Sequence, residues 1–88
     1  MTQTMQSKII YADDVVITKA QVNVVGSGTS LIFELGVAST PTGTYTWETI
    51  PTLTNYTHTF TATGRKYLKW RATGTNYVIT KIEVKANP

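Results

Sequence analysis

An all-β fold is predicted, a single β-sandwich domain of jelly-roll type with seven or eight short, mostly antiparallel strands. Three observations lead there. Apolar and polar residues alternate with period two in several stretches, most clearly at residues 31–37 and 78–84, as strands with one buried face require. Threonine fills eighteen of the 88 positions, and its branched Cβ suits a pleated, half-exposed surface better than a helix. Glycine- and proline-containing turn clusters recur at roughly ten-residue spacing, and no stretch shows a helical period.

The elements follow in order. Residues 1–7 are polar and aperiodic and are expected to be a flexible N-terminal arm, leaving 8–88 as the domain. A short apolar run at 8–12 is broken by Asp13 and Asp14. Residues 15–25 then place Val16, Thr18, Ala20, Val22 and Val24 on one face, as one long strand or as two bent near Lys19 and Ala20. Residues 26–30 (GSGTS) form a flexible turn. Leu31, Phe33, Leu35 and Val37 define the clearest core strand, and the loop at 38–43 contains Pro41 and Gly43. Tyr45, Trp47 and Thr49 alternate against Thr46, Glu48 and Ile50 until Pro51 ends the strand.

In the next strand Tyr56, His58, Phe60 and Ala62 share the inward face, with threonines outward. Residues 63–65 turn the chain into a strand over 66–72, in which Leu68, Trp70 and Ala72 oppose Tyr67, Lys69 and Arg71. A second turn at 73–76 leads to the last strand, 78–84. If these two strands form a hairpin, a three-residue loop pairs 72 with 78 and 70 with 80. If they belong to opposite sheets, the loop length is silent.

The area scaling laws give a chain of this size roughly 5,000 Å² of folded surface, so about three fifths of the unfolded surface is buried. With no cysteine, no disulfide supplements that small core and the thiol-based metal and redox spacings are excluded. The net charge of +3 is mild and its basic residues are dispersed over several strands, which argues against a nucleic-acid partner. No window approaches the apolar length of a membrane span, and the N-terminus lacks the pattern of a signal peptide, so neither a membrane partner nor an address is expected.

Candidate chemistry is sparse. His58 is the sole histidine, and without a nucleophile motif it reads as a packed or hydrogen-bonded structural residue, not a general base. Glu34 and Glu48 read as cross-strand partners for Lys69, Arg71 or Lys81. Asp13 and Asp14 could help to hold calcium, but adjacent aspartates more often make a turn. No catalytic residue, metal site or cofactor is therefore assigned. The aromatic residues Tyr45, Trp47, Tyr56, Tyr67 and Tyr77 are the candidates for binding a protein partner or a glycan, because flat rings with polar tips stack on sugars and anchor interfaces. Trp47, Trp70 and Phe60 also have a competing role as core filling, which is preferred for Trp70. Lys69 and Arg71 beside Tyr67 could bind an anion or serve as rim charges in a subunit contact.

From about Val22 onward the order of features resembles a small β-sandwich module of bacteriophage virion proteins and of galactose-binding-like domains. The matching pieces are 31–35 (LIFEL), 47–50 (WETI), 60–64 (FTATG), 67–72 (YLKWRA) and 79–84 (ITKIEV). The loop before Trp47 reads STPTGT, where such modules often carry Asp and Gly. The resemblance implies an accessory adhesive or structural unit of a virion, a capsid decoration or tail or fibre component, present in many copies or as a homo-oligomer. A carbohydrate-binding module for host-surface glycans is the alternative.

Overall fold

The computed structural model describes residues 2–12 and 14–88. It is all-β: one antiparallel sheet of six strands, β1 (Thr2–Gln6), β2 (Tyr11–Ala12), β3 (Lys19–Ala38), β4 (Thr46–Ile50), β5 (Tyr56–Thr59) and β6 (Tyr67–Ala86). β3 and β6 are each 20 residues long and pair along nearly their whole length, from Ala20 opposite Ala86 to Ala38 opposite Tyr67. The short strands attach to this ribbon. β4 and β5 flank β3 at its two ends, while β1 and β2 flank the first part of β6.

At about 3.3 Å per residue a straight 20-residue strand would run roughly 66 Å, yet the longest dimension of the molecule is 37 Å. The ribbon is therefore bent, and the bend lies at three register shifts, between Val25 and Gly26, Ser27 and Thr29, and Thr29 and Ile32. Extra residues at such bulges sharpen the local twist. Here Ser30 and Asn76 take left-handed backbone conformations, with φ of 56° and 51°. Gly28 has a steric role: a Cβ there would fall on the Cα and Cβ of Tyr77 in the facing strand. Only glycine lets the two strands approach that closely.

Bending folds the inner face of the ribbon onto itself. Ala20, Val22 and Val24 from one arm and Phe33, Leu35, Val37, Leu68 and Ala72 from the other join Ile17, Ile50 and Phe60 in a single buried core. Trp70 stacks on Phe33 at 5.8 Å between ring centroids and packs against this core, as its alternation predicts. The accessible surface is 5143 Å², in line with the scaling law for this length.

Three expectations change. The glycine-rich stretches at 26–30 and 73–76 are not chain reversals, so residues 19–25 and 31–37 join in β3, and the strands expected at 66–72 and 78–84 merge into β6. A hairpin between the last two is ruled out by that continuity. Glycine and asparagine accommodate bulges as well as turns, and here the partner strand continues past both stretches, so the ladder resumes beyond each irregularity. Residues 15–18 precede β3 outside any strand, and there Ile17 is buried while Val16 and Thr18, expected on the inward face, are exposed. Likewise residues 2–6, expected to be part of a flexible arm, form β1 on the edge of β6, with Thr2 opposite Thr75 and Gln6 opposite Arg71. All five residues of β1 are exposed. It is held by ladder hydrogen bonds rather than by apolar burial, which is why no hydrophobic pattern announced it.

Replacing Gly28 with alanine is expected to lower stability by roughly 2 kcal/mol or more, because backbone on β6 has to move. Urea unfolding checks this, and a loss below about 0.5 kcal/mol, the range of neutral surface changes, would contradict the close approach.

Candidate functional site

The outer face of the distal arm, where β4, β3 and the first part of β6 lie side by side, gathers the polar and aromatic residues. The register sets Trp47 opposite Gly36 and Gly36 opposite Lys69, while Thr49, Glu34, Arg71 and Gln6 form the next row. Period-two alternation sends Leu35, Val37 and Leu68 inward and this set outward. Gly36 permits the arrangement: a Cβ there would lie 2.7 Å from Cε3 of Trp47, so the indole rests across the strand where no side chain stands.

Two cation–aromatic pairs and one ion pair knit the patch together. The Arg71 guanidinium lies 4.2 Å from the Trp47 ring centroid, and the Lys69 ammonium lies 4.5 Å from that of Tyr45. Arg71 donates from Nε to Glu34 Oε1 at 3.0 Å and from its terminal nitrogen to Oε2 at 3.1 Å, a two-pronged contact that fixes the guanidinium plane. Tyr45 donates to the Pro41 carbonyl at 3.2 Å. Burial raises its phenol pKa above the ordinary value, and neighbouring Tyr67 adds to the effect.

Of the seven residues singled out from the sequence, Tyr45, Trp47, Tyr67, Lys69 and Arg71 come together in this patch. Tyr56 and Tyr77 do not, since both are half-buried against the core. Tyr77 donates to the Ala72 carbonyl at 3.4 Å. The core-filling role weighed for Trp47 does not hold: the ring sits on the face opposite the core, because Gly36 leaves a seat for it there.

A second polar cluster lies on the inner side. Glu48 was expected to pair with a lysine or arginine across the sheet. Instead its carboxylate sits 2.8 Å from His58 Nε2 and accepts the backbone N–H of Thr61 and Ala62 and the Thr61 hydroxyl. Burial pushes the Glu48 pKa up, but the Ala62 N–H, His58 and the two Thr61 donors outweigh it, leaving the carboxyl below its ordinary value of 4.5. Both carboxylate oxygens are engaged, and His58 packs edge-on against Phe60 at 4.9 Å. This constellation clamps the chain after β5. Sequence reasoning missed it because Glu48 and His58 belong to different arms and meet only through the bend.

A concavity of ≈ 520 Å³ is lined by Gln21, Asn23, Asn55, Ile82, Glu83 and Lys85 among others, none of them in either cluster. Among the described residues no group of three or more His, Asp or Glu could hold a metal ion. The paired-aspartate calcium reading falls partly on Asp13, outside the described residues. Comparison with protein families, with curated proteins and with solved structures finds no match to this chain.

Because the folded-state pKa of Glu48 is depressed, its contribution is present above the unfolded-state value near 4.5 and is lost as pH falls through the lower folded value. Glu48→Gln is therefore expected to cost roughly 2 kcal/mol at neutral pH and to flatten the acid limb of the stability profile. Thermal melts from pH 7 down to pH 3 check this; an unchanged acid limb would remove the clamp from the account.

At the outer patch, Gly36→Ala is expected to displace the indole. Trp47 emission should shift to the red while the fold is retained, as read from fluorescence in the Trp70→Phe background.

Proposed function

We propose that this chain is a non-enzymatic structural component of a phage-like virion, a capsid decoration protein or a piece of a tail or fibre, working by assembly onto other virion subunits. The observation that carries the reading is the outer-face patch. It joins three aromatic rings, Tyr45, Trp47 and Tyr67, and an arginine held rigid by Glu34, the residue types enriched where protein interfaces concentrate their energy. Pre-set rings and a fixed guanidinium cost little entropy to dock, and repetition over many copies on a particle adds avidity to a modest single contact. We read the bent sheet as a compact β-sandwich of jelly-roll type, in keeping with the virion modules that the sequence resembles.

Glycan stacking through Tyr45 and Trp47 takes second place, for a geometric reason. Lys69 and Arg71 already lie over these rings, so a sugar has to compete with the cations for aromatic faces.

The experiment mixes the purified chain with virions that lack it and follows co-sedimentation. Saturable binding, lost in Trp47→Ala and weakened about tenfold or more in Arg71→Ala, is expected for a hot-spot residue. No association with particles, alongside saturable binding on a glycan array, would reverse the order of the two readings.

A further inference from the structure

β6 is flanked on both sides only in its first part. β1 and β2 cover residues 67–75 on the side away from β3, and beyond them that side of β6 has no strand beside it among the described residues. The direction of the exposed groups can be read from the neighbouring ladder. Val24 donates its N–H to the Leu53 carbonyl, away from β6. Backbone direction alternates residue by residue, so Gln21, Asn23 and Val25 face β6 and their partners Lys85, Glu83 and Lys81 face back. Ile82, Val84 and Ala86 therefore turn their N–H and C=O groups to the open side.

Two features distinguish this edge from the others. Its inner side borders an apolar crevice of ≈ 170 Å³ lined by Ile10, Trp70, Ile82 and Val84. Its outer side carries Lys81, Glu83 and Lys85 in alternation, all exposed. The outer edges of β4 and β5 are only five and four residues long, and the exposed residues of β1 are uncharged. An open edge of this kind is a template for another strand.

We propose that this edge pairs with the same edge of a second copy of this chain, antiparallel about a two-fold axis at Val84. That register is self-complementary. It sets Val84 opposite Val84 and Ile82 opposite Ala86, joining the outward-facing groups of 82, 84 and 86 in hydrogen-bonded pairs. On the outer face it sets Glu83 of each copy opposite Lys85 of the other. On the inner face the second copy's Val84 and Ile82 close over the crevice. An axis at Glu83 would oppose Glu83 to itself and Lys81 to Lys85, and would use the groups already bonded to β3. An axis at Ile82 would bring Thr80 opposite Val84, but Thr80 is the extra residue of a bulge, between the pairs Val25–Lys81 and Gly26–Ile79. The pairing leaves the outer patch of the other arm uncovered on both copies, so the dimer presents that surface twice.

The test uses analytical ultracentrifugation of the full chain across micromolar to millimolar concentration. Wild type is expected to show a monomer–dimer equilibrium. Glu83→Lys and Lys85→Glu each oppose like charges twice and should weaken dimerisation tenfold or more, while an equimolar mixture of the two should associate and the double variant E83K/K85E should regain wild-type dimerisation. Val84→Pro removes an N–H that faces outward and should give a monomer that keeps the β-type circular dichroism of wild type. A chain monomeric at all concentrations overturns the proposal, and so does a dimer indifferent to Lys85→Glu. Single variants that do not associate when mixed place the axis elsewhere and overturn it as well.

Discussion

The pairing of β3 with β6 along a bent ribbon interrupted by three register shifts is the constraint on which the rest of the molecule depends. Two 20-residue strands of alternating sequence bury one face only if that face meets another apolar surface. Among the described residues no second sheet and no helix covers it, so the ribbon supplies the surface itself by folding over. The register shifts between residues 25 and 32 are therefore a condition for the core. Gly28 against Tyr77, with Ser30 and Asn76 in left-handed conformations, is the local chemistry that lets the ladder turn without ending.

Once the arms face each other, polar groups are sorted by face. Inside, the half-buried carboxylate of Glu48 needs donors, and it takes them from His58, Thr61 and Ala62 while tying the chain after β5 to the other arm. Outside, Glu34 anchors Arg71, and the guanidinium in turn lies over Trp47. Both acids are thus engaged in contacts that hold the fold. Rings and cations gather on the outer face of one arm, and the outer side of β6 stands without a neighbouring strand on the other among the described residues.

Much of this was legible in advance. Alternation placed Ala20, Val22, Val24, Phe33, Leu35, Val37, Leu68 and Ala72 on the buried face, and each is buried. Tyr67, Lys69 and Arg71 could be placed on the face opposite Leu68, and Tyr45 and Trp47 could be named as binding candidates, with core filling as the competing role for Trp47. That they are neighbours could not be read, because adjacency needs β3 between them, in a register that puts Gly36 beside both Trp47 and Lys69. The polar strand β1 escaped notice because strand pairing through backbone alone leaves no mark in side-chain pattern.

Period-two alternation, threonine content and the absence of cysteine were enough to determine an antiparallel β protein with a small, disulfide-free core and to name much of what fills it, since these follow from local stereochemistry and from burial of one face; Ile17, outside any strand, carried no such pattern. Whether a glycine-rich stretch reverses the chain or bends a continuous strand was decided only in the tertiary structure, because the local backbone conformations are similar and the choice rests on which distant strand stands ready to accept the next hydrogen bond. From that choice came the meeting of Glu48 with His58, the seat for Trp47, and the open edge of β6.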